Sequence, residues 1–474
     1  MSKALRGLLG LLLLSFFLPA FLNPPMLHAQ DGLLEGKPAY SLAEAKKYVK
    51  EVVPLVEKAT GRKLHKIPAV KLVDREEMIP VLQEEFEPQL ENLYPDYSAE
   101  QLENAGYDQS LVYTKAIMGK YGIMDRSLYL LPKNLVPLLK LAKVDEKNTK
   151  SILKLVIAHE LVHAIQDQET DLKRIQQITN YDELNAFSAT IEGHAVFVQD
   201  QVGSALGLEE SAIELSRLLS AGAVTYDDPA QEMFNKLIAT QFEQIYLGGR
   251  KFIEYHYQQG GNERVWEIMA KPPLKTAMIA KPGTYNPEKQ TELNYQSLLE
   301  GLDQELDGEG WQAQTMEVGQ MGLRTVYAKI DEQNREAIID QIVHVQTFIA
   351  QNADPPCMVN VSAIVLKDGN FTKKYLALLE DLVQKNVKEL ESSAIIKIND
   401  FFIGDFTGME ADNARKISFG LSQNDGSESV QNLFIRISRG SLLLEFYTSN
   451  YVAEDAAIIK IAELVFSRYE QISK

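Results

Sequence analysis

The stretch "SILKLVIAHELVHAIQDQ", Ser151 to Gln168, constrains the fold more than any other part of this chain. "LVIA" before the first histidine and "AIQDQ" after the second make a good helix, which Asn148 or Thr149 can cap. On a helix, positions i and i+4 share a face, so His159 and His163 can present both imidazoles to one ion at about 2.0–2.1 Å. Glu160 projects about 100° around the axis. There it can touch a water on the ion without replacing it as a ligand. A zinc ion acidifies such a water, and a carboxylate so placed can take its proton and pass it to a leaving amine. The chain has seven histidines, so an accidental H-E-x-x-H is rare. The competing reading is a core helix carrying two hydrogen-bonded histidines.

A catalytic zinc needs a third protein ligand and an open position. The next candidate lies in "YDELNAFSATIEGHAVFVQD". Glu192 sits there in an apolar turn between Ile191, Ala195 and Val196, where an unpaired carboxylate is costly. Gly193 beside it lets another backbone come close. His194 is an alternative ligand, but two positions along a helix it faces away from Glu192, and Glu192 is preferred. Asp182 and Glu183 are nearer in sequence to His163, although Asp182 fits better as a helix cap. Asp167, one turn past His163, can orient an imidazole or simply end the helix.

The two boxes, "IAHELVHAIQDQ" and "ATIEGHAVFV", resemble the gluzincin group of zinc metallopeptidases. More narrowly, they are similar to exported bacterial proteins with an HExxHAxQDQ helix followed by an EGxA helix. The resemblance implies a peptide or protein substrate, His159, His163 and Glu192 as zinc ligands, and Glu160 as general base and acid. It extends over roughly residues 35 to 330, where Tyr246, Gly249 and Phe252 match a Tyr-x-x-Gly-x-x-Phe helix. Gly260, Gly261, Pro272 and Pro273 match paired glycines and prolines. Lys281-Pro282 stands where the relatives have His-Pro, so a transition-state role for that histidine does not carry over. Tyr246, His256 and Tyr285 are candidates for the oxyanion donor that acyl chemistry requires. "SLYLLP", just upstream of the histidine helix, is a candidate edge strand against which a substrate strand can pair.

A length of 474 residues predicts two or three domains, and a hydrophobic content of 45% is enough for real cores. The net charge of -18 argues against binding nucleic acid or an anionic lipid surface. The N-terminus reads as an export signal: Lys3 and Arg6, the apolar run "LLGLLLLSFFLPAFL", then "LHA" before Gln30. Residues 1–29 are expected to be cleaved, leaving a periplasmic or secreted protein with no membrane span. An uncleaved anchor is the alternative, for which a run broken by Pro19 is short.

The predicted architecture is a mostly α (α+β) metallopeptidase-like domain with a small sheet over 30–351. A smaller α+β antiparallel-sheet domain of unknown role follows over 357–474. "REAIIDQIVHVQTFIAQ" reads as a helix leading to a boundary at "NADPP". Beyond it, "MVNVSAIVL", "IIKINDFFIGDF", "KISFGLSQ", "NLFIRIS" and "SLLLEFYTS" read as strands, with a closing helix in "AEDAAIIKIAELVFSRYEQI". The single cysteine, Cys357, reads as a small residue near that boundary, and His65 and His344 as surface positions. Two functions compete with a peptidase. One is a non-catalytic protein stabilised by zinc, the other an exported assembly factor that binds polypeptides. Glu160 favours an enzyme, because a purely structural site needs ligands but no base.

Overall fold

The computed structural model describes residues 36–474 apart from 95–96, 142–143, 221–241, 289–294, 296, 307, 309, 328–329, 354–355, 392–395, 424–428, 452–453 and 473–474. The expected signal segment, 1–29, and "NDGS" at 424–427, a turn sequence between two of the expected strands, lie outside the described residues. The chain divides into two compact units near residue 290. Among the described residues no helix is long and apolar enough to cross a membrane.

The first unit is mostly helical. Helix α1 (Leu42–Thr60) starts at a reciprocal cap between Ser41 and Glu44, ends at Gly61 with φ 67°, and buries Ala45, Val49, Val52 and Val56. After β1 (Ala69–Leu72), α2 (Arg75–Leu93) opens on the Asp74–Glu77 box and α3 (Ala99–Ala116) on a Ser98–Gln101 box. Strands β2 (Gly119–Gly122) and β3 (Ser127–Leu130) follow, then α4 (Pro132–Leu141), α5 (Thr149–Thr170), α6 (Tyr181–Leu206) and α7 (Glu209–Ser220). Helix α8 (Gly249–Ala270) is broken at Gly260 and Gly261, and α9 is Thr276–Ala280.

Helix α5 carries the histidines and is the centre of this unit, with every residue from Leu155 to Asp167 buried. Apolar side chains around its whole circumference require such enclosure. The polar side chains it takes inside must therefore find partners or a ligand.

Three expectations change. Asn148 precedes α5 but makes no side-chain cap; its amide donates to Glu214 at 2.6 Å. Asn180, not Asp182, caps α6, and the Asp182 carboxylate accepts from the Thr276 backbone N–H at 3.1 Å. The sheet runs β1-β3-β2, so the "SLYL" strand is central and β2 is an edge. All four residues of β3 are buried, which is the environment of a middle strand.

The second unit is a seven-stranded antiparallel sheet with helices. Its elements are β4 (Gln312–Glu317), α10 (Gln320–Val326), α11 (Glu332–Gln341), β5 (Ile342–Ala353), β6 (Pro356–Leu366) and α12 (Thr372–Glu391). Strands β7 (Ile396–Asp405), β8 (Asn413–Gln423), β9 (Ser429–Arg439), β10 (Leu442–Ser449) and helix α13 (Asp455–Ile472) complete it. Strand order is β4-β5-β6-β10-β9-β8-β7. Ile458, Ile461, Val465 and Phe466 of α13 join Val361, Ala363, Ile435 and Leu444 in one core.

The expected helix through "IVHVQTFIAQ" stops at Gln341, and the segment continues as β5. Its valine, isoleucine, threonine and phenylalanine side chains suit a strand once β6 supplies cross-strand partners, such as Val361 opposite Phe348. "NADPP" is thus the connection within a hairpin, not a domain boundary. Cys357 lies opposite Asn352 on β6, and burial pushes its thiol pKa up. His344 is buried on β5 with Nδ1 3.2 Å from the Glu317 carboxylate, contrary to a surface placement, whereas His65 is exposed.

Candidate metal centre

Helices α5 and α6 pack together and bring His159, His163 and Glu192 to one point. His159 Nε2 lies 3.0 Å from Glu192 Oε2, and His163 Nε2 lies 3.4 Å from the same oxygen. Ligands about 2.05 Å from a tetrahedral ion sit about 3.3 Å apart, so the donors already have ligand spacing. The three residues could hold a metal ion, with ligand atoms all within 4.8 Å of one another. Two imidazoles and a carboxylate form a donor set that suits zinc and leaves a fourth position open. Burial alone would raise the Glu192 carboxyl, but the His163 and His159 imidazoles hold it well below the usual carboxylate range. Burial likewise opposes charge on His163, yet Glu192 and Glu160 beside it raise its pKa.

Gly193 explains how a further element reaches this point. A Cβ on Gly193 would lie 2.1 Å from the Gly249 carbonyl carbon, and one on Gly249 would lie 1.9 Å from the Ala189 oxygen. The α6 and α8 backbones therefore touch, as the EGxA glycine anticipates. The contact places Tyr246, in the π-helical turn Gln244–Gly248 that precedes α8, over the site. Its ring centroid is 6.1 Å from that of His159. Tyr246 and Tyr113 of α3 both line the cleft that contains the histidines. Burial and the nearby Glu192 keep the Tyr246 hydroxyl protonated, and burial pushes Tyr113 up to about 12. Of the three candidate oxyanion donors, only Tyr246 lines this cleft. The Tyr285 hydroxyl donates to the Lys271 carbonyl, and His256 packs against Phe252 and Tyr285. Tyr113 was absent from the sequence candidates; the Ser98–Gln101 box was the available sign that a helix carries it.

Glu160 is tied to the sheet edge. Its Oε2 accepts from the Tyr121 backbone N–H at 2.6 Å, and the Tyr121 hydroxyl donates to Asp167 Oδ2 at 2.9 Å. One residue of β2 thus grips α5 at points two turns apart. Asp167 also pairs with Arg126 at 3.1 Å, so it braces β2 and β3 rather than an imidazole. Lys120 of β2 lines the cleft with its Nζ 3.1 Å from Glu85. Burial opposes its charge, but Glu85, Tyr113 and Glu160 outweigh that and raise its pKa.

No family model and no curated protein matches this chain. Among solved structures it is similar to a protein of Chloroflexus aurantiacus described as "a putative hydrolase with a novel fold". Identity is 17% and the TM-score 0.36, over 59% of this chain and 95% of that one. So loose a likeness carries no functional argument, and the chemistry has to be read from the cleft itself.

Gln166 joins the two helices behind the donors. Its Nε2 donates to the Ile191 carbonyl at 2.9 Å, which fixes the amide orientation and turns Oε1 toward His163 Nδ1 at 2.8 Å. His163 Nδ1 must then carry the proton, leaving the Nε2 lone pair for a metal. Gln166 Nε2 also lies 3.1 Å from His194 Nδ1. His194 is buried against Trp266, outside the group His159, His163 and Glu192, and burial together with His163 lowers its pKa to about 3. Gln166→Ala is expected to weaken metal binding at this cluster about 10- to 100-fold. Competition with a chelating dye measures this. The signal in the sequence was a polar residue one turn past His163 in an apolar helix.

Proposed function

We propose that this protein is an exported zinc metallopeptidase of the gluzincin type, with His159, His163 and Glu192 as ligands and Glu160 as general base and acid. One observation carries the reading: two imidazoles from α5 and a carboxylate from α6 converge, with Glu160 beside them, next to an edge strand. A bound zinc ion would acidify a water and polarise a substrate carbonyl. Glu160 takes the water's proton and returns it to the leaving amine. The Tyr121 N–H holds that carboxylate in place. Tyr246, kept protonated by burial, donates a hydrogen bond to the developing oxyanion.

The edge of β2 supports a peptide substrate. Met118 O accepts from Leu131 N–H, so residue 118 faces β3, whereas the Tyr121 N–H faces α5. Alternation turns the Gly119 N–H and C=O toward the open edge, where an extended peptide can add as a further strand. Gly119 also lines the cleft. Export rests on the Lys3, Arg6 and apolar-run pattern of the N-terminus.

Digestion of an unbiased peptide library tests the reading. Zinc-loaded protein is expected to cut, chelator-stripped protein to stop cutting, and added zinc to restore cleavage. No cleavage at full zinc occupancy would leave the zinc-stabilised binding protein as the better description.

A further inference from the structure

Gln199 lies on α6, seven residues past Glu192 and so two turns along the same face. It is fully buried and lines the cleft of the candidate metal centre. Neither its Oε1 nor its Nε2 has a hydrogen-bond partner among the described residues. Gln166, equally buried, has partners at both ends of its amide. A buried donor and acceptor both left unmade are costly, and native proteins meet most such groups with protein, water, an ion or a ligand. Val156, Leu215 and Phe242, which line the same cleft, have no polar side-chain atom to offer.

We propose that this part of the cleft is a subsite for a carboxamide side chain of the substrate, glutamine or asparagine. Gln199 Nε2 donates to the substrate amide oxygen, and Gln199 Oε1 accepts from the substrate amide nitrogen. Two planar amides can meet in this two-point fashion. Seven residues place Gln199 about 10 Å along the helix from Glu192, and helix side chains lean back toward the N-terminus. That is within reach of a residue one or two positions from the scissile bond. The substrate main chain is engaged by β2, so the amide reaching Gln199 belongs to a side chain. The inference rests on the peptidase reading for its peptide ligand.

Binding of matched peptides tests it. The full chain is used zinc-loaded and as Glu160→Gln, so that peptides bind without being cut. Blocked alanine hexapeptides carry one glutamine or one methionine, its near-isostere, at each position in turn, and calorimetry gives their affinities. At one position the glutamine peptide is expected to bind about 10- to 100-fold more tightly than the methionine peptide. Gln199→Met is expected to abolish that preference while zinc content stays unchanged. The melting temperature of ligand-free Gln199→Met is expected to rise, since an apolar near-isostere replaces an unsatisfied amide. Gln199→Leu repeats both readouts with a different shape. Equal binding of the two peptides, a preference that survives in both variants, or a fall in melting temperature in both would overturn the proposal. Equal weakening of both peptide sets by the variants would assign Gln199 to the main chain and overturn it too. Binding without a glutamine preference counts against this subsite alone; no peptide binding at full zinc occupancy counts against the peptidase reading as well.

Discussion

Glu192→Ala is expected to lower zinc affinity by about 10²–10³-fold, enough to empty the site in the presence of a moderate chelator. Four-ligand zinc sites bind with about 10–16 kcal/mol, or roughly 2.5–4 per ligand, and each 1.4 kcal/mol is tenfold. Glu192 is the one donor of the three that carries a formal charge, which places its loss at the upper end. The effect separates Glu192 from its neighbour in sequence. His194→Gln is expected to retain the metal, because His194 meets Gln166 and Trp266 instead of the donor cluster. Metal analysis after dialysis against a graded chelator series measures both. Retention of zinc by Glu192→Ala would remove α6 from the site.

Gly193→Ala is expected to destabilise the first unit by about 3 kcal/mol or more, the upper range for overpacking. The new Cβ would sit 2.1 Å from the Gly249 carbonyl carbon and 2.6 Å from the Arg250 nitrogen. Both are backbone atoms, so no side chain can rotate away and the helices have to part. Parting them moves Glu192, one residue before Gly193, away from Tyr246, three before Gly249. Stability and metal affinity should therefore fall together. Gly248→Ala is the control, since a Cβ there meets nothing within 4 Å and its φ of -63° is already helical. Urea denaturation of the two variants, with and without zinc, compares them. Equal midpoints would mean that the α6–α8 crossing relaxes freely.

Local signals mark where several helices begin and end. Ser41–Glu44 and Asp74–Glu77 reciprocal caps start α1 and α2, and Gly61 ends α1. The H-E-x-x-H spacing and the glycine after Glu192 foretold which residues meet. What failed depended on partners distant in the chain. "IVHVQTFIA" has an apolar pattern compatible with either period, and only β6 across the hairpin makes it a strand. The order β1-β3-β2 gives β3 two neighbours, which the sequence of β3 alone cannot disclose. Asp182 seemed a cap because it lies in the first turn of α6, yet its carboxylate is engaged by Thr276, 94 residues away. Gln166 acts through atoms of α6 and Tyr113 reaches the cleft from α3, so their places emerged only when α3, α5 and α6 were packed together.

The most direct test of Glu160 as proton shuttle pairs zinc content with peptide cleavage in wild type and Glu160→Gln. The amide keeps the size of the side chain and is no zinc ligand in this arrangement, so zinc content should be equal. A general base is worth about 10²–10⁴-fold, and kcat/KM should fall by that factor. Equal cleavage by the two proteins at equal zinc occupancy would contradict a catalytic role for Glu160.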